Sequence, residues 1–233
     1  MKTIVFDSGP IISLALNDLL WILPDLKKYY NGNFVIPDSV KAEVVDNPLR
    51  TRKFAFEAIR VEGMITQNVL EISRDDNVKS QSQDLLTLAN SSFEAHGAPM
   101  QLVHTAEMEA IVLARELHAD AVVIDERTSR MLIEAPDNLK NLLEKRLQTK
   151  IKVNTSNLER FRSLLSSVKV IRSAELVSIA YSLGLLDKYL ARNGEVPIGK
   201  KKDLIESVLW ALKLNGCAIS KKNIDQLVKW LLK

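Results

Sequence analysis

A chain of 233 residues with 46% hydrophobic and 26% charged side chains can bury a core and is too ordinary in composition for a disordered, fibrous or collagen-like protein. Its formal net charge of +3 is too weak a basic excess to mark a nucleic-acid binder by itself, and the single cysteine, Cys217, excludes an internal disulfide. No apolar stretch reaches the ~20 residues of a membrane span, and the N-terminal apolar run is too short for a secretory signal and is broken by Asp7, so a cytoplasmic location without membrane attachment is expected.

The first element is the apolar run Thr3-Ile4-Val5-Phe6, read as a strand from about Lys2 to Phe6 that ends at Asp7-Ser8-Gly9-Pro10, where turn residues and a helix-starting proline take over. A second strand, Asn33 to Ile36, ends at Pro37-Asp38-Ser39, and a helix carrying Val40, Glu43 and Val44 follows. The stretch from about Ser73 to Met100 is polar, with one weak helical pattern around Asp84 to Ala95, and is expected as a surface insertion. A helix from about Thr105 to His118 then leads into a third strand, Ala121 to Ile124, closed by Asp125-Glu126. Strands apolar at every position must be buried on both faces, the mark of a parallel sheet covered by helices. Beyond about Ser166 the pattern is helical only. Stripes at Leu176, Val177, Ala180 and Tyr181, at Leu204, Val208 and Leu212, and at Ile224, Leu227, Val228 and Leu231 are bounded by Gly184, Gly216 and a capping Ser220. The expected architecture is α/β, three layers around a central parallel sheet over residues 1–170, followed by an all-helical extension over 171–233.

Chemistry concentrates in the acids. In an open α/β sheet ligands bind outside the carboxyl ends of the strands, and Asp7 and Asp125 stand there. An aspartate after a strand is commonly just a turn or cap residue. Glu107, however, lies in register with Ile111 and Ala114, on the stripe that faces the sheet, whereas Glu109 falls near Glu116 on a face expected to be solvated. Glu43 shares a face with Val40 and Val44 and is expected to point inward in the same way. Carboxylates forced together repel unless a hard cation neutralises them, and an all-oxygen donor set suits Mg²⁺ or Mn²⁺ better than zinc, for which His96, His104, His118 and one cysteine offer no ligand motif. Arg127 and Arg130, just past Asp125, are candidates for holding a substrate phosphate, because a guanidinium matches phosphate geometry bidentately; the plain alternative is a solvent-facing arginine on a helix. Lysine and arginine clusters at Lys200 to Lys202, at Lys221-Lys222 and from Lys145 to Lys152 read first as solvated surface.

Four segments together, Ile4-Val5-Phe6-Asp7-Ser8-Gly9-Pro10, Val35-Ile36-Pro37-Asp38-Ser39-Val40-Lys41-Ala42-Glu43, Ala106-Glu107-Met108-Glu109-Ala110-Ile111 and Val123-Ile124-Asp125-Glu126-Arg127, resemble a PIN domain, in particular those PIN-like proteins whose chain continues into a C-terminal helix pair. The resemblance implies a metal-dependent endoribonuclease cutting single-stranded RNA. Asp7, Glu43, Glu107 and Asp125 would be its catalytic, metal-binding acids, Ser8 and Glu126 would support them by hydrogen bonds, and Mg²⁺ or Mn²⁺ would be the cofactor. It also implies a homodimer and, as in many relatives, a toxin role with an antitoxin protein as partner. The family often carries a second small polar side chain after the first aspartate, where this chain has Gly9. The opening strand also resembles that of haloacid-dehalogenase-type phosphatases, but their second aspartate is again replaced by Gly9. A catalytically silent protein of the same fold that binds RNA or serves as a scaffold stays open as the alternative.

Overall fold

The computed structural model describes residues 2–190 and 198–233. In chain order the N-terminal elements are β1 (Thr3–Phe6), α1 (Ser8–Leu16), α2 (Ile22–Tyr30), β2 (Asn33–Pro37), α3 (Asp38–Lys41), a π-helical turn (Ala42–Asp46), α4 (Asn47–Thr51), α5 (Ala55–Thr66) and β3 (Glu71–Ser73). There follow α6 (Asp76–Asn90), β4 (Phe93–Ala95), β5 (Ala98–Pro99), α7 (Thr105–Glu116), β6 (Ala121–Val123), α8 (Arg127–Glu134), α9 (Pro136–Leu147), β7 (Lys152–Val153) and α10 (Thr155–Leu165). The chain closes with β8 (Val170–Ile171), α11 (Ser173–Ser182), a 3₁₀ turn (Leu185–Tyr189), α12 (Ile198–Leu214) and α13 (Lys221–Leu231).

The three expected strands lie parallel in one five-stranded sheet of order β3-β2-β1-β6-β8, in which every neighbouring pair is parallel. The two strands that composition did not announce, β3 and β8, are three and two residues long and form the edges. Such short edges leave little unpaired backbone to recruit another chain. A separate antiparallel sheet, β5-β4-β7, ties the segment after α6 to the segment before α10.

The sheet divides the core in two because successive side chains of a strand point to opposite faces. Ile4, Phe6, Phe34, Ile36 and Val123 face one cluster, with α1, α2 and the C-terminal helices. Val5, Val35, Val122 and Ile124 face the other, with α6, α7, α9 and α10. Phe6 and Phe34 meet at 5.1 Å between ring centroids across the β1–β2 pair, a cross-strand aromatic contact that adds to area burial.

The polar stretch from Ser73 to Met100 is not confined to the surface. Its helix, α6, begins earlier than the weak pattern suggested and packs along α7, sending Val78, Leu85 and Ala89 into the core. The surface reading failed because α6 is polar on average yet carries these apolar residues at helical spacing, enough to bury one face. Among the described residues no helix is long and apolar enough to cross a membrane.

The helices after Ser173 bury Leu176, Val177, Ile205, Leu209, Leu212, Ile224 and Val228 in the same cluster as Ile4 and Phe6. Leu209→Ala, at a side chain with no exposure, is expected to destabilise the whole chain by about 2–5 kcal/mol in a single urea transition. A biphasic transition in which only the C-terminal helices melt early would show that they fold apart from the sheet.

Candidate functional site

Asp7 caps α1 at the carboxyl end of β1: its backbone N–H donates to the Val123 carbonyl of the neighbouring strand, and its Oδ2 accepts the Gly9 N–H at 3.3 Å. Ser8 Oγ stands 3.5 Å from the other oxygen. The carboxyl group is buried, and burial is the chief reason that its pKa rises to about 7, with the negative potential of Glu107 and then of Glu43 pushing the same way against the Ser8 and Gly9 N–H groups. Gly9 sits between the two aspartates. A Cβ there would lie 3.4 Å from Asp7 Oδ2 and 3.6 Å from Asp125 Cβ, so a longer side chain would grow into the space the acids share.

Asp125 follows β6, next to β1 in the sheet. Both its oxygens are engaged: Ser173 N donates to Oδ1 at 2.8 Å and Ser173 Oγ to Oδ2 at 2.7 Å, at the N-terminus of α11, where the helix dipole favours a carboxylate. Its carbonyl accepts the Ala218 N–H from the α12–α13 turn at 3.0 Å. Cys217 is buried beside it, its thiol pushed up to about 12 by burial first and by Asp125 second, so it is no nucleophile at neutral pH. Ser173 was not singled out from sequence. Its pairing with Asp125 spans 48 residues, and no local pattern announces it.

Glu107 does face inward. It closes the first turn of α7 by accepting the His104 N–H, and it accepts the Ser129 hydroxyl at 2.9 Å. Burial raises its pKa, the two donors lower it, and Glu126 raises it. Ser129 is a second residue that sequence reasoning missed, again because the contact joins α7 to α8 through space. Glu126 is the N-cap of α8, accepting the Ser129 N–H at 2.9 Å, and bears on Glu107 only through charge.

Two expectations about glutamate orientation are corrected. Glu43 is exposed and does not share the buried face of Val40 and Val44. The reason is the π-helical turn from Ala42 to Asp46: its wider i→i+5 ladder rotates the side chain off the apolar stripe that an α-helix would give, and such turns gather at functional sites. Glu43 stays near enough to raise the Asp7 pKa. Glu109 is buried, not solvated, because α6 covers the outer face of α7, where every residue from Ala106 to Ala114 is buried. It lines a small recess with Asp38, Asp75 and Lys79, on another side of α7 from Glu107.

Arg127 is exposed and Arg130 half-buried on α8. Arg130 Nε stands 3.7 Å from Glu134, while its Nη1 is buried without a hydrogen-bond partner. Burial, and then Arg172, lower its pKa.

Asp7, Glu107 and Glu43 are therefore electrostatically coupled, Asp125 adjoins Asp7 across Gly9, and the set is all oxygen, which is the donor chemistry of Mg²⁺ and Mn²⁺. As the side chains stand, no three His, Cys, Asp or Glu among the described residues form a group that could hold a metal ion. Ser173 and Ser129 hold the oxygens of Asp125 and Glu107 toward themselves.

A family model described as a PIN domain matches residues 3–137. Neither a curated protein nor a solved structure matches the chain.

A carboxyl that is protonated more readily folded than unfolded stabilises the fold at low pH and loses that contribution as pH rises. For Asp7 the window runs from 3.8, its ordinary value, to about 7. In the absence of divalent cations Asp7→Asn should gain stability relative to wild type as pH rises through this window, by on the order of 4 kcal/mol at its upper end. Urea unfolding in EDTA across the range reads this directly; parallel curves for the two proteins would mean that Asp7 is ionised at no cost.

Proposed function

The chain belongs to the PIN-domain family, a branch of a nuclease superfamily, and on that premise we propose that it is a Mg²⁺- or Mn²⁺-dependent endoribonuclease cutting single-stranded RNA at Asp7, Glu107, Asp125 and Glu43. The observation that carries the reading is the crowding of buried acids at the strand ends, with Asp7 and Asp125 on either side of Gly9 and Glu107 and Glu43 close enough to push the Asp7 carboxyl upward. A divalent cation relieves that crowding. When bound, it supplies a water of lowered pKa and charge for the leaving oxygen.

The chain's own residues do the positioning. Gly9 N–H and the Ser8 hydroxyl aim the Asp7 carboxylate; Ser129 and His104 N–H fix Glu107; Ser173 holds Asp125 at the head of α11. Glu43, exposed on its π turn and without a hydrogen-bond partner among the described residues, is free to swing toward a cation or a bound water. Arg127 and Arg130 bring positive charge to the flank where a phosphate backbone would pass.

A second reading, an RNA-binding or scaffold protein that keeps the fold without cleaving, is favoured by one observation: both oxygens of Asp125 serve α11. Calorimetric titration with Mn²⁺ separates the two, because a scaffold shows no binding that depends on Asp7.

Under the nuclease reading, Asp7→Asn and Glu107→Gln should each lower Mn²⁺-dependent cleavage of single-stranded RNA by at least on the order of a hundredfold, and the double variant should be little worse than either, since ligands of one site act as a unit. Ser129→Ala, which loosens Glu107 without removing it, should cost about tenfold. Glu109→Gln should cleave nearly as wild type. Equal activity across the set would remove the site; a loss confined to Glu109→Gln would move it to the other side of α7.

A further inference from the structure

Beside the Asp125 backbone a cleft of about 540 Å³ opens between α8 and the α12–α13 turn. Its lining includes Arg127, Arg130 and Lys213 and no carboxylate. Arg127 has no ion pair among the described residues, and Lys213 Nζ is held by the Ile219 carbonyl, which orients the charge without cancelling it. Arg130 also lines the cleft; its Nε faces Glu134 at 3.7 Å, and its Nη1 is enclosed by the protein with no acceptor. A buried guanidinium nitrogen left unsatisfied costs free energy and calls for an explanation. Ser220 and Asn223 add neutral polar groups at the rim; the Asn223 carbonyl oxygen accepts from the Ser220 hydroxyl, which leaves its amide NH₂ to donate outward.

The cleft is tied to the acids by the backbone. Its floor at Ala218 donates to the Asp125 carbonyl, and α8, which carries the arginines outward, carries Ser129 inward to Glu107. On the opposite side of Arg130 a second hollow contains Arg172, but there Glu134 and Glu175 neutralise much of the charge. The positive potential is thus concentrated on the Lys213 side.

We infer that this cleft is a subsite for a backbone phosphate of the RNA strand, next to the one at the acids, with Arg127 and Arg130 supplying charge from α8 and Lys213 and Asn223 as contributions of the C-terminal helices. The assignment rests on the nuclease reading for the identity of the strand, and on the cleft itself for the phosphate. A guanidinium on the wall of a cleft suits a phosphate oxygen, and a wall without carboxylates repels no strand. The C-terminal helices then extend the site as well as burying the sheet.

Binding is measured on the whole chain in EDTA, by fluorescence anisotropy with a short 2′-O-methyl single-stranded oligonucleotide that cannot be cleaved. Arg130→Gln should weaken it about tenfold, in keeping with one lost charge-assisted contact, and Lys213→Ala several-fold. Each should lower the salt dependence by about 0.7 in the log–log slope. Arg146→Ala, an exposed cation on α9, should change nothing. Should Arg130→Gln fail to fold, Arg127→Ala and Lys213→Ala carry the test. Wild-type affinity in the folded variants overturns the subsite, as does an Arg130-dependent affinity for poly-glutamate equal to that for the oligonucleotide, which would make the cleft a protein interface. A chain that binds through Arg130 and Lys213 yet cuts no RNA keeps the subsite and loses the nuclease; one that cuts RNA with all affinities unchanged loses the subsite alone.

Discussion

A parallel sheet covered on both faces admits polar chemistry only where its strands end. In this chain β1 and β6 are neighbours, both are buried throughout, and each releases an aspartate as soon as it leaves the sheet. Asp7 and Asp125 are thereby brought to one edge without any loop having to position them. Gly9 leaves their approach free of a side chain, and Glu107 enters from α7, the helix that runs back across the sheet to β6. The rest of the arrangement follows from having to accommodate negative charge there. Serines and backbone N–H groups surround the carboxylates.

Asp125 shows how tightly the edge is coupled to the remainder of the chain. Its carboxylate receives the start of α11 and its carbonyl receives the α12–α13 turn, so one residue fixes both the first C-terminal helix and the turn of the last pair. A carboxylate at a helix N-terminus is favoured by the exposed N–H groups and the dipole. The same contacts limit how far its oxygens can turn toward a cation. Structural anchoring and ligation compete for one side chain, and Glu43, exposed and unengaged on its π turn, is the acid with freedom to compensate.

The sheet and its order of acids were legible because their signals are local. Continuous apolar runs gave β1, β2 and β6 as parallel strands, and the stripe through Glu107, Ile111 and Ala114 gave an inward glutamate. What failed was tertiary or rested on an assumed helix period. A period of 3.6 residues per turn puts Glu43 on the face of Val40 and Val44, and the π turn breaks that period. The spacing of Glu109 points to an outer face of α7, which α6 covers. Ser129 and Ser173 are ordinary serines in sequence and acquire their roles from partners 22 and 48 residues away. The short edge strands β3 and β8 carry too few residues to show any periodicity.

Asp7 is the residue at which stability and chemistry part company. As an N-cap of α1 it needs only a side-chain oxygen to accept the Gly9 N–H, and asparagine caps about as well as aspartate. The charge contributes nothing to that task and is costly where it stands, since burial and two acidic neighbours oppose its ionisation. A sequence shaped for folding alone would place an amide at this position. Costly, locally unfavourable groups of this kind are expected at functional sites, and here the cost falls on the strand end where the sheet geometry already directs a ligand. That coincidence, two independent physical arguments meeting at one carboxylate, is what ties the fold to the proposed chemistry.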